Sequence, residues 1–325
     1  MSNKLKFIWI DDDPGRNVSA VHLQTLLGVR CHFVNVSDEN SDYLKVIDTV
    51  KPDLILVDHN LTEIASGIIK KGSTIAAIIR EKHPAYAIAC ITGQGDNQII
   101  DTQQRLSYEA IFDYDDIKAQ YSTMKSIAES FRKLTTVNPT NFEELFSLIK
   151  APNDDIIKLK SILPPEIKEN FKDPSLFSNI SYWIRNVLLK RPGFLYDSLW
   201  AATILGLSEA GFNKVKHLFE KAKYKGLFKD DSKELWWKTT LLEILSKKVK
   251  TDDLPWEKGR DLPGINSRNY SKDYYSDFQE PFPETVAYVD ETSNDQVQIK
   301  LKYTVPHPKF DKLLFFEDIK MMKAD

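Results

Sequence analysis

Cysteine is scarce: only Cys31 and Cys90 occur in 325 residues, and both sit inside apolar stretches. That excludes a disulfide scaffold and points to a reduced, cytoplasmic setting. Glycine is scarce as well, at 12 residues, which excludes collagen-like and Gly-rich low-complexity chains. Long apolar runs are missing; the longest, Ala85 to Ile91, is seven residues, far below the roughly 20 that cross a bilayer. The opening Met1-Ser2-Asn3-Lys4-Leu5-Lys6 mixes charge with apolar residues and holds no signal-peptide core, so no secretory signal is expected. No Gly-rich phosphate loop, HExxH helix or nucleophile elbow occurs. The six histidines (His22, His32, His59, His83, His217 and His307) are scattered without metal-ligand spacing. An enzyme is therefore not expected, beyond self-modification by a reactive donor.

What is present reads as a folded chain of about two domains, 42% hydrophobic and 28% charged. The net charge of −3 hides a division. Residues 1–139 carry 15 Lys+Arg against 18 Asp+Glu, residues 140–250 carry 19 against 14, and residues 251–325 carry 10 against 15. A middle segment at +5 permits nucleic-acid binding without arguing for it, since a Lys-rich helical surface gives the same balance.

Residues 1–135 alternate strand and helix. Lys6 to Ile10 is apolar on both faces, as a buried parallel strand should be. Helices are predicted over 16–28, 42–50, 73–82 and 119–134, with further strands over 29–34, 53–57 and 87–91 and one beginning at Ala110. Five strands alternating with helices predict an α/β fold, a five-stranded doubly wound parallel sheet of flavodoxin-like form.

The acidic residues collect at strand ends. Asp11, Asp12 and Asp13 follow the first strand, Asp58 the third, and Thr92 the fourth. Open α/β sheets gather ligands at that edge. Converging carboxylates repel one another unless a cation lies between them, and hard oxygen ligands suit Mg²⁺. A divalent ion beside a lone carboxylate is what phosphoryl transfer to that carboxylate requires.

Three stretches, Ile8-Trp9-Ile10-Asp11-Asp12-Asp13-Pro14, Pro52-Asp53-Leu54-Ile55-Leu56-Val57-Asp58-His59-Asn60 and Ile91-Thr92-Gly93, together resemble the receiver domains of two-component response regulators. The resemblance covers residues 4–134. It implies that Asp58 is the phosphoacceptor, that Asp11 and Asp12 with Asp58 and the backbone carbonyl of Asn60 hold Mg²⁺, and that Thr92 is the switch hydroxyl. It also implies a sensor histidine kinase or phosphotransfer protein as partner. The chain departs from the family pattern in two places. Leu61-Thr62 stands where Met-Pro is usual, and the fitting glycine, Gly72, implies an insertion of about six residues within Glu63 to Lys71. At the end of strand five the family places a lysine; this chain has Asp113, Tyr114, Asp115 and Asp116, and no Lys between Arg105 and Lys118. Lys70, Lys71 and Lys118 are the candidates to replace it. His59, beside Asp58, is expected at the pocket mouth.

Residues 136–250 predict a helical output or interaction domain, with helices over 141–150, 154–163, 179–189, 196–205, 209–223 and 235–249. Residues 251–325 read as an irregular segment (252–284), a hairpin from 285–290 and 296–305, and a short apolar stretch, Leu313 to Ile319. Ala201 to Phe219 has the helix, Gly turn and helix of a helix-turn-helix near 199–219; Lys214, Lys216, Lys221, Lys223 and Lys225 could meet phosphates and Asn213 a base edge. Against DNA binding, Arg is absent from 192 to 259. Trp236-Trp237 reads as a buried corner of a helical core rather than a partner patch. Three functions stay open: a phosphorylated signalling protein whose helical domain docks or dimerises, a DNA-binding transcription regulator, and a degenerate receiver serving as a phosphorylation-independent scaffold.

Overall fold

The structure is a computed structural model. It describes residues 4–36, 42–61, 71–93, 105, 107–171, 173–190, 193–230, 232–272, 285–289, 296–300, 304–306 and 321–323. The chain forms two compact units from interleaved segments. The first comprises Met1–Leu148, Leu163–Ile184 and Leu227–Asp230, and the second comprises Ile149–Ile162, Arg185–Gly226 and Asp231–Asp325.

The first unit opens with β1 (Lys6–Asp11), α1 (Arg16–Leu27), β2 (Arg30–Asn35), α2 (Tyr43–Val50), β3 (Leu54–Asp58), α3 (Gly72–Lys82), β4 (Ile88–Thr92), β5 (Ile111–Asp113) and α4 (Ile117–Val137). The five strands form one parallel sheet in the order β2-β1-β3-β4-β5. The expected doubly wound sheet is therefore present, with the strand order of flavodoxin-like folds. Most of the stretch between β4 and β5, where the alternating pattern places another helix, lies outside the described residues.

Both faces of the sheet are covered, which is why its strands are apolar throughout: Phe7 to Ile10 and Leu54 to Val57 are fully buried. Ile8, Ile10, Ile55, Val57, Ile88 and Cys90 share a core with Ile47 of α2 and Ile75, Ala76 and Ile79 of α3. The alternate residues Phe7, Trp9, Leu54 and Leu56 face the other side, where α4 packs on β3 and β5. Gly28 ends α1 at φ 64°, a left-handed position that suits a residue without Cβ.

Beyond α4 the chain is mainly helical: α5 (Phe142–Leu148), α6 (Ile156–Ile162), α7 (Pro165–Glu169), α8 (Phe177–Trp183), α9 (Ser198–Ile204), α10 (Glu209–Val215), α11 (Lys238–Lys248) and α12 (Pro255–Arg260). Later segments complete the first unit. The Phe228 backbone N–H donates to Ser130 Oγ at 2.6 Å, and its ring meets Phe131 edge-on at 6.0 Å. Asp230 accepts from Ser122 at 2.6 Å and Thr123 at 2.9 Å. Glu109 takes an ion pair from Arg80 at 2.7 Å and a hydrogen bond from Ser181 at 2.6 Å.

The second unit packs α9, α10 and α11 around Phe212, Phe219, Trp236, Leu241 and Leu245. Asp197 caps α9 and Ser208 caps α10. Trp236-Trp237 is buried as expected, but the residues form a strand, β7 (Trp236–Trp237), paired antiparallel with β6 (Leu195–Tyr196), and not the start of a helix. The long-range pairing wins because aromatic residues favour strands as readily as helices. The predicted helix over 209–223 turns to 3₁₀ geometry after Val215. Within the predicted irregular segment, Pro255 to Arg260 is helical, and the Leu254 backbone N–H before it donates to the Glu257 carboxylate at 3.0 Å. The expected hairpin forms from β8 (Thr285–Val289) and β9 (Gln296–Lys300). Gln298 of β9 is buried and donates to Thr203 Oγ1 at 2.9 Å and the Leu207 carbonyl at 2.8 Å. A further pair joins β10 (Thr304–Pro306) and β11 (Met321–Lys323). Leu313 to Ile319 lies outside the described residues. Among the described residues, no helix is long and apolar enough to cross a membrane.

Candidate functional site

The site builds from the carboxyl ends of β1, β3 and β4. Parallel register sets Asp11, Asp58 and Thr92 at the same edge: Ile10 pairs with Val57, and Asp58 with Ile91. Asp11 and Asp12 are 3% and 6% exposed, and Thr92 is 5% exposed. Asp11 is held by two donors, the Trp9 indole N–H at 3.2 Å and the Asp13 backbone N–H at 2.9 Å. Even so its carboxyl lies above the ordinary range, because burial outweighs those bonds and Asp12 adds repulsion. Asp58 accepts the Asn60 backbone N–H at 2.8 Å. Burial, followed by the charges of Asp11 and Asp12, pushes its carboxyl up to about 7. The charges of Asp11 and Asp12 thus act on Asp58, and Thr92 ends the neighbouring strand at the same edge.

Asn60 follows β3 at an exposed position and bridges to Lys71. The backbone bond there runs from the Gly72 N–H to the His59 carbonyl at 2.9 Å. His59 is 2% exposed; it is buried after β3 and does not stand at a pocket mouth. Gly72 is required by close approach: a Cβ there would lie 2.0 Å from the Asp58 carbonyl oxygen and 3.0 Å from the Tyr108 hydroxyl. The spacing that singled out Gly72 therefore has a steric cause.

The donors suit a hard divalent ion. Mg²⁺ is commonly held by one or two carboxylates, with waters and phosphate oxygens filling the other positions, and two acids with raised affinity for protons are short of positive charge. Among the described residues, no three His, Cys, Asp or Glu side chains stand ready as a complete metal cage. A site of two carboxylates, the Asn60 carbonyl and water needs none.

Of the lysines considered for the strand-five position, Lys70 lies outside the described residues, and Lys71 and Lys118 are exposed. The cation interacting with Asp11 is one the sequence reading passed over, Arg16. Its Nε stands 3.6 Å from Asp13 Oδ2, and its guanidinium lies 3.8 Å from the centre of the Tyr114 ring. Tyr114 is fixed in turn: its backbone N–H donates to the Thr92 carbonyl at 2.8 Å, its hydroxyl bonds the Ser19 hydroxyl, and its ring meets Trp9 at 5.8 Å. The available signal was Pro14-Gly15 behind three aspartates, which starts a helix at Arg16.

In the second unit, the predicted helix-turn-helix has its two helices joined through Gly206 at φ 64°. Three of the five lysines assigned to phosphate are ion-paired: Lys216 and Lys223 with Glu234 at 2.6 and 2.5 Å, and Lys225 with Glu220 at 3.0 Å. Asn213 and Lys214 are exposed.

No family model matches the chain, and no curated protein does. Solved structures similar to its first part are response-regulator receivers. One is a CheY-like receiver domain of Methanospirillum hungatei, 14% identical, covering 40% of this chain and 98% of that one at a TM-score of 0.33. Another is the response regulator TrrA of Thermotoga maritima, solved with Mg²⁺ and BeF, 18% identical over 38% of this chain and 98% of that one at 0.31. A third is a two-component response regulator of Clostridium difficile, 18% identical over 39% and 97% at 0.31. The first unit contains a five-stranded parallel sheet in the flavodoxin-like order, defined by its own strand order and pairing.

Proposed function

We propose that the protein is a signalling receiver that accepts a phosphoryl group on Asp58. The observation that carries the reading is the convergence of Asp11 and Asp12 on Asp58 at the carboxyl edge of the sheet, where each raises the Asp58 pKa. An Asp58 carboxylate oxygen attacks phosphorus. The bond from phosphorus to the donor breaks, and for a phosphohistidine donor the electron pair leaves with the imidazole nitrogen, which takes up a proton. Asp11, Asp12 and the Asn60 carbonyl would hold Mg²⁺, which supplies neutralisation of the phosphoryl oxygens. Thr92, buried at the same edge of the sheet, would hydrogen-bond the new group. The donor is a histidine kinase or phosphotransfer protein, and the chain performs no catalysis beyond its own modification.

The direct test is intact-protein mass after incubation with a small phosphodonor and Mg²⁺. A phosphoryl adduct is expected on the wild type, and neither on Asp58→Asn nor without Mg²⁺. An adduct that survives Asp58→Asn would overturn the assignment.

A further inference from the structure

The first unit lacks the lysine that its strand-five end would be expected to supply, yet positive charge is present at the acidic edge. Arg16 reaches it from the opposite side, off the first turn of α1. Two contacts fix its direction, the Asp13 carboxylate at 3.6 Å and the face of Tyr114 at 3.8 Å. Burial works against its charge, and the Tyr114 hydroxyl with Asp11 and Asp13 more than offsets that. Tyr114 occupies the position where the lysine is missing, with its backbone bonded to the Thr92 carbonyl. The edge of a guanidinium matches the paired oxygens of a tetrahedral anion.

We infer that Arg16, seated on Tyr114, is the cation that pairs with a phosphoryl group on Asp58, so that the charge role assigned to strand five has moved to α1. The inference rests on Asp58 being the phosphoacceptor. It assigns Arg16 as an anion-binding residue and Tyr114 as its positioning residue. Asp13 has a distinct part: it holds Arg16 in the resting state and gives it up when the stronger anion arrives. The same geometry predicts opposite signs for two ligands. Arg16 repels a cation bound beside Asp11 and attracts an anion on Asp58.

The test uses the full chain as wild type, Arg16→Gln, Arg16→Lys, Tyr114→Leu and Asp58→Asn. Mg²⁺ affinity is read by calorimetry, and beryllofluoride binding by fluorine NMR at saturating Mg²⁺. Arg16→Gln is expected to hold Mg²⁺ at least as tightly as wild type while binding beryllofluoride about tenfold more weakly. Arg16→Lys should recover part of that loss, and Tyr114→Leu should weaken beryllofluoride binding in the same direction. A merely structural role would weaken both ligands together, and that outcome overturns the inference. So does beryllofluoride binding by Arg16→Gln at wild-type strength; if that variant does not fold, wild-type binding by Tyr114→Leu does the same. Wild type that binds no beryllofluoride, like Asp58→Asn, instead overturns the phosphoacceptor reading itself.

Discussion

Below about pH 7 the folded chain keeps on Asp58 a proton that an unfolded chain loses near its ordinary value of 3.8. Its carboxyl is pushed up to about 7 from an ordinary value of 3.8, chiefly by burial and then by Asp11. A raised acid favours the folded state only while protonated there, so this contribution is complete below pH 3.8 and is lost as pH climbs through about 7. At about 1.4 kcal/mol per pH unit the loss has a ceiling of about 4 kcal/mol. In chelator, denaturant unfolding is expected to show falling stability between pH 5 and pH 8, and Asp58→Asn should flatten that slope. Mg²⁺ should restore stability at pH 8 by binding the folded state. Gly72 supplies a second prediction at this scale. Gly72→Ala drives a methyl into the Asp58 carbonyl at 2.0 Å, and overpacking against backbone should cost about 2–3 kcal/mol in the same unfolding measurement. The acids and Thr92 were legible at strand ends because a switch from apolar to polar residues marks those ends, and Gly72 was reached through the spacing of the family pattern. Arg16 was not, since its role depends on where α1 points its first turn.

At the scale of elements, apolar spacing located the helices and strands of the sheet domain within three residues, and Met124, Ile127, Ala128, Phe131 and Leu134 of α4 are all buried as their stripe predicts. Spacing said nothing of Ser130, buried on the same helix, where it accepts the Phe228 backbone N–H from a segment distant in sequence. Periodicity tells which face is covered, and long-range partners decide by what. The same limit explains Trp236-Trp237, whose strand partner lies 41 positions away at Leu195–Tyr196. Asp230→Ala should remove the two hydroxyl bonds to α4 and cost about 1–2 kcal/mol. Hydrogen exchange should then quicken in the first two turns of α4 and leave β1 and β3 protected. In the second unit, Gly206→Ala places a Cβ 2.4 Å from the Trp256 carbonyl at a left-handed φ. A loss of about 3 kcal/mol is expected, read as a lower unfolding midpoint.

At the scale of the molecule, the first unit is not a contiguous stretch of chain. Residues 1–135 contain the whole sheet, yet Ser130, Phe131 and Glu109 take partners from residues 181 and 228. A fragment ending at Val137 should therefore be measurably less stable than the same unit within the full chain, with its Phe131 side exposed and a tendency to self-associate. Equal unfolding midpoints for fragment and full chain would contradict this.

Synthesis on the ribosome gives that arrangement a time axis. When Val137 is made, every strand of the sheet already exists, but Asp230 follows only 93 residues later. At bacterial-to-eukaryotic elongation speeds of about 5–20 residues per second, the outer side of α4 waits on the order of 5–20 s for its cover. During that interval Phe131 and the serines beside it are open to whatever the cell offers, so the nascent chain should be a better chaperone client than the finished protein.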